Sequence, residues 1–167
     1  MRRKKAVFLT KKKTAIELNN EVMERDANGN LAFNPQKDAE AVKAYFIDHV
    51  NVNMRWFHDL AEKIEYLTDN NYWDAELLAQ YSYEEIKSVF KAAYAKKFRF
   101  PSYMSAFKFY NNYALKSDDK KTYLERYEDR VSIVALFFGK GSVDTALDFV
   151  ELLITQQYQP ATPTFNL

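Results

Sequence analysis

A chain of 167 residues that is 16% aromatic, with three glycines and no cysteine, suits packed helices better than a turn-rich sandwich or a glycine-rich nucleotide-binding sheet. The lack of cysteine excludes disulfides, thiolate metal sites and cysteine nucleophiles on this chain, and makes a cytoplasmic location the default. The net charge of +1 hides an asymmetry: residues 1–13 carry seven Lys/Arg and no acid, leaving 17 basic against 23 acidic residues in the remainder.

No apolar run approaches the roughly 20 residues needed to cross a bilayer, so no membrane partner is expected. "AVFL", behind the basic start, is too short for the apolar core of a secretory signal. A basic arm on an acidic body can bind nucleic acid, but no basic face continues it further along the sequence. Residues 1–15 therefore read as a disordered leader.

In chain order, "AIELNNEVMERDANGNLAF" alternates in pieces around the turn signal "DANGN" and predicts an irregular lead-in or a loose hairpin. Asn34 before Pro35 is a cap and first-position pair, with Val42, Tyr45, Phe46 and His49 following at helical spacing. A second helix is predicted through "NMRWFHDLAEKIEYL", its stripe made by Phe57, Leu60, Ile64 and Leu67, with "TDNN" ending it. A short helix fits "WDAELLAQY". Ser82 and Glu85 then form a capping box ahead of Ile86, Val89, Phe90, Ala93 and Tyr94.

Pro101 interrupts, and "SYMSAFKFYNNYAL" resumes with Met104, Phe107 and Tyr110 or Tyr113 inward. The next helix is predicted from about Asp119 to Phe138, with Tyr123, Tyr127, Val131, Val134 and Phe138 in register and Gly139 as its left-handed stop. Ser142 caps a last helix whose stripe is Ala146, Leu147, Val150, Leu153 and Ile154.

Most of the candidate chemistry has a plainer explanation. "GKGS" at 139–142 lacks the earlier glycine of a phosphate loop and reads as a helix stop followed by a cap. His49 and His58 sit on separate predicted helices without ligand spacing, so no bound metal is expected. The pairs Glu84/Glu85 and Asp118/Asp119 fall at predicted helix starts, where negative charge favours the dipole. The bases and aromatics of "KKFRFPSYMSAFKFYNNYAL" could stack on single-stranded nucleic acid, but at helical spacing most of the rings point inward. The uncharged, Pro/Thr-rich "YQPATPTF" is different. Its prolines pre-set an extended backbone and its threonines offer hydroxyls to a polar ligand, although a frayed end fits the chemistry equally well.

Four strings, in order, carry a resemblance: "IELNNEV", "AYAKKFRFPSYMSAFKFYNNYALK", "LERYEDRVSIVALFF" and "YQPATPTF". Together they resemble the N-terminal region of the large catalytic subunit of class Ib ribonucleotide reductase, from about residue 16 to 165. The resemblance implies a mainly α fold, the helical N-terminal domain of that subunit over residues 16–158. It also implies an extended segment, 159–167, leading into the first strand of a ten-stranded α/β barrel.

The implied activity is reduction of ribonucleoside diphosphates to deoxyribonucleotides by a cysteine thiyl radical. It would require a small subunit with a dimetal tyrosyl-radical centre and a thioredoxin- or glutaredoxin-like reductant. The first threonine of the family's Pro-x-Thr-Pro motif lies at the substrate and maps onto Thr162, the one site residue carried over. No cofactor is expected on this chain itself. With no cysteine it is expected to be inactive without a partner supplying the C-terminal part of the subunit.

The ending "PTFNL", where the family pattern reads Pro-Thr-Phe-Leu-Asn, implies a frameshift, a split gene or a truncated frame. The resemblance also leaves room for a vestigial nucleotide site near the first helices. A reading from another class stays open: a standalone helical interaction module with a basic nucleic-acid-binding arm.

Overall fold

A computed structural model describes residues 12–161. The described chain is mainly helical, as expected. Its first helix, α1 (Ala15–Asn20), is closed by Thr14 and Glu17, each side chain accepting the other residue's backbone N–H. "TAIE" is thus a capping box, and the segment expected as an irregular lead-in begins as helix. Within the span assigned to the leader, Lys12 pairs with Asp48 and Lys13 with Glu21, while residues 1–11 lie outside the described residues.

The expected hairpin follows as β1 (Met23–Arg25) and β2 (Leu31–Phe33), antiparallel, with Met23 opposite Phe33. Asp26 Oδ1 accepts the backbone N–H groups of Asn28 and Asn30 at 2.8 and 2.9 Å, and Gly29 supplies the positive φ of 81° that the turn needs.

Helix α2 (Pro35–Tyr45) starts at its predicted cap, with Asn34 accepting from Gln36 and Lys37. It widens into a π turn over Phe46–Val50, then tightens to a 3₁₀ turn over Asn51–Asn53. The next predicted helix starts late. Residues 54–58 are held extended because Arg55 N–H donates to Tyr123 O at 2.9 Å while Tyr123 N–H donates to Asn53 O at 2.8 Å. Helix α3 (Leu60–Asp69) begins only after its cap, Asp59. It ends at "TDNN" as predicted, with Asn71 left-handed.

Helix α4 (Ala75–Leu78) is capped by Asp74, and α5 (Tyr83–Ala95) by the predicted Ser82/Glu85 box. On α5 the predicted face is buried except for Tyr94, which is half-exposed.

After Pro101, α6 (Tyr103–Asn112) buries Tyr103, Ala106, Phe109 and Tyr110 and leaves Met104 and Phe107 outward. The predicted stripe was set about one residue off, because aromatics lie all around this helix and hydropathy ranks Met above Tyr. Aromatic contacts decide the register: Tyr103 meets Tyr45 edge-on at 5.5 Å, and Phe109 meets Tyr127 at 5.2 Å.

Residues 117–126 form no helix. Ser117 and Thr122 close a turn with Lys120 left-handed, and Leu124 N–H pairs with Leu115 O at 2.9 Å. Asp118 and Asp119 therefore sit in a turn rather than at a helix start, and Tyr123 belongs to a bridge.

Helix α7 runs from Tyr127 to Gly139 and is buried on nearly every side. The left-handed residues that stop it are Lys140 and Gly141, not Gly139. Gly139 is needed for space instead: a Cβ there would lie 2.5 Å from Tyr81 Oη and 2.9 Å from Ala146 Cβ. Helix α8 (Val143–Ile154), capped by Ser142, packs Ala146, Val150, Leu153 and Ile154 onto α7 and α5, close to the predicted stripe.

Candidate functional site

The last described residues approach the position that the sequence singles out. After α8, Gln156 adopts a left-handed φ of 59° and reverses the chain, with Tyr158 N–H donating back to Leu152 O at 3.1 Å. Tyr127 anchors this turn by donating its hydroxyl to Leu153 O at 3.4 Å. Gln156, Tyr158, Gln159 and Pro160 then line a groove of about 240 Å³ whose other wall includes Phe100, Phe109 and Tyr113, with Lys108 beside them. Thr162 itself lies outside the described residues, so the structure describes the path to it as far as Ala161.

A larger cavity, about 520 Å³, lies between α2, the Phe98–Pro101 segment and the start of α7. Val42, Phe46, Phe100 and Tyr110 make it apolar, while Arg99, Arg126 and Glu128 bring charge to it. An apolar hollow with a few convergent polar groups is the usual form of a small-molecule site. Burial pushes the Glu128 carboxyl above its ordinary value, and Arg126 and Arg99 only partly offset this. Asp38, also at this cavity, is 5% exposed and accepts the Tyr103 backbone N–H at 3.1 Å, so a side chain of α2 closes the start of α6.

A third hollow of about 470 Å³ lies between the extended residues 54–58, α3 and α5. At its base Asp129 is ion-paired with Lys63 and also accepts from Tyr94 Oη at 2.9 Å and from Arg126 N–H at 2.8 Å. The Arg126 guanidinium lies over the Trp56 ring at 4.6 Å, and that of Arg55 over Tyr66 at 3.8 Å.

Beneath these hollows, Glu125 is fully buried. It accepts from Trp73 Nε1 at 2.6 Å, from Arg130 at 2.8 and 3.0 Å and from Leu115 N–H at 3.3 Å. Sequence reading missed these buried carboxylates. Their signal is charged residues embedded in the otherwise apolar "LERYEDRVSIVALFF", which a helix pattern treats as its wet face.

The histidines take structural or exposed positions. His49 Nε2 lies 3.0 Å from Tyr123 Oη with its ring stacked on Tyr45, and His58 is exposed beside Asp59. Among the described residues no cluster of three His, Asp or Glu side chains could hold a metal, and no helix is long and apolar enough to cross a membrane. "GKGS" is the α7 stop and the α8 cap, as its composition predicted.

The described residues form a mainly helical domain with one short hairpin. Two family models match consecutive stretches of the chain: "Ribonucleotide reductase N-terminal" over residues 16–98 and "Ribonucleotide reductase, all-alpha domain" over residues 99–166. The chain belongs to the ribonucleotide reductase family and matches the N-terminal domains of its large subunit.

It is 59% identical over 150 residues to the ribonucleoside-diphosphate reductase subunit alpha of Bacillus subtilis (strain 168), covering 90% of this chain and 21% of that protein. It is 55% identical over 150 residues to the NrdEB subunit alpha of Bacillus phage SPbeta, covering 90% of this chain and 14% of that protein. The subunit alpha of Mycoplasma pneumoniae is 44% identical over 128 residues, covering 77% of this chain and 18% of its own length. The chain thus spans about a fifth or less of the curated relatives it matches.

Proposed function

We propose that this chain serves as the N-terminal region of a class Ib ribonucleoside-diphosphate reductase alpha subunit and takes part in reducing ribonucleoside diphosphates to deoxyribonucleoside diphosphates. The observation that carries this reading is the 59% identity over 150 residues to a protein named ribonucleoside-diphosphate reductase subunit alpha. The chain has no cysteine, so the thiyl radical and the reducing thiols come from the remaining four-fifths of the subunit's length. A radical-generating small subunit with a dimetal centre starts the chemistry, and a thioredoxin- or glutaredoxin-like donor restores the thiols.

In this reading residues 16–158 buttress the catalytic barrel, and 159–167 enter its first strand. Thr162 contacts the nucleotide substrate through its hydroxyl. The turn at Gln156, held by the buried Tyr127, supports this by fixing the direction in which the segment leaves α8. The work is cytoplasmic, where ribonucleotides and thiol reductants are found.

The test is reconstitution. This chain is combined with a polypeptide supplying the rest of an alpha subunit, plus the small subunit, and diphosphate reduction is assayed. Activity is expected only when this chain is present, and Thr162→Ala is expected to lower kcat/KM by at least about tenfold, because misplaced substrate loses effective molarity. A folded, associated mixture without activity would overturn the reading. An unchanged kcat/KM in the variant would remove Thr162 from the site.

A further inference from the structure

The basic residues of the body, scattered in sequence, are gathered by the fold. Outside residues 1–13 the chain is acidic, with 17 Lys/Arg against 23 Asp/Glu. Yet the hollow between the 54–58 segment and α5 is lined by Arg55, Lys63, Lys87, Lys91 and Arg126, against only Asp59 and Asp129. Both carboxylates are already engaged: Asp59 caps α3, and Asp129 holds Lys63, Tyr94 and the start of α7. The hollow is therefore a positive island on a negative body, three charges in excess along its lining, with Lys87 also reaching Glu84 at 3.8 Å.

At its edge stands Trp56, 64% exposed, with the Arg126 guanidinium stacked on its ring. Trp and Arg are the residues that dominate binding energy at protein interfaces, and an exposed pair of this kind costs solvation unless something covers it. Beneath the cations, Phe57, Leu60 and Phe90 offer an apolar floor.

We propose that this hollow is a docking site for an acidic polypeptide segment bearing an aromatic or large aliphatic anchor. The anchor enters over Phe57 and Phe90 and packs against Trp56, while flanking Asp or Glu side chains meet Arg55, Lys87, Lys91 and Arg126. Charge complementarity selects this occupant. A single-stranded nucleic acid needs a basic track that follows several phosphates, whereas here the positive surface is one short island. The volume of about 470 Å³ suits one anchored side chain and its neighbours. The hollow holds no residue assigned to substrate, so its binding test and the reconstitution assay can fail separately.

The test is selection of a random dodecapeptide library on the immobilised full chain, followed by fluorescence anisotropy with the labelled consensus peptide. Enriched sequences are expected to be rich in Asp/Glu around an aromatic or Leu/Ile. Binding should fall at least about tenfold in Trp56→Ala and in the Lys87→Glu/Lys91→Glu double variant, and should weaken as salt rises. These side chains are exposed, so helix content and Tm should hold and separate lost binding from lost fold.

A consensus without acidic bias would overturn the proposal, as would affinity indifferent to both variants. Oligothymidylate that binds more tightly than the peptide and depends on the same residues would reassign the island to nucleic acid. Concentration-dependent dimerisation abolished by Trp56→Ala would reassign it to a second copy of the chain.

Discussion

Glu125 is a buried carboxylate with four donors. Trp73, Arg130 and the Leu115 backbone surround it, and Arg130 is itself only 3% exposed. Such a pair contributes little over a well-packed apolar substitute, but breaking one side leaves the other charge stranded. Glu125→Ala is expected to cost about 3–5 kcal/mol, read as a lowered denaturation midpoint in urea.

Glu128, the second residue of α7, has the opposite balance. Burial raises its carboxyl above the ordinary 4.5, so the folded state tolerates it well while protonated and poorly once ionised. The penalty grows as pH rises from about 4.5 through the raised value and is constant above it. Glu128→Gln is therefore expected to stabilise the fold at pH 7, with the gain vanishing near pH 4. Urea melts at the two pH values check this; a gain that is larger in acid would contradict the sign.

At the scale of elements, caps were the most legible feature. Asn34, Ser82 and Ser142 start their helices where the sequence places them, because a cap is a local arrangement of one side chain and the next three N–H groups. Ser82→Ala removes half of a capping box and is expected to cost about 1 kcal/mol, seen as a small drop in Tm with helix content kept.

Two predicted helices began too early for a shared reason. Residues 54–58 and 118–126 have helical hydropathy, but the strand-like bridge around Met54 and Tyr123 claims the backbone of both. A local pattern cannot register a partner about 70 residues away. The α6 stripe failed in a related way: with aromatics on every side of that helix, only the neighbours Tyr45 and Tyr127 define an inside.

For the molecule as a whole, α7 is the axis, with α5 and α8 packed on it and on each other. Leu136 is fully buried there, and Leu136→Ala is expected to cost about 2–5 kcal/mol. Leu31→Ala, at a hairpin position 63% exposed, should change stability by less than about 0.5 kcal/mol, and paired thermal melts separate the two.

The class of fold, the caps at Asn34, Ser82 and Ser142 and the family were settled by the order of residues, since each rests on short-range chemistry or on strings long enough to be specific. Thr162 was read in the same way, as a motif position, and lies outside the described residues. The buried carboxylates at 125 and 129, the reason for Gly139 and the positive island around Trp56 were not. Each depends on side chains from distant segments meeting in three dimensions, and only the tertiary packing decides which charges are buried, which are neutralised and which are left facing water.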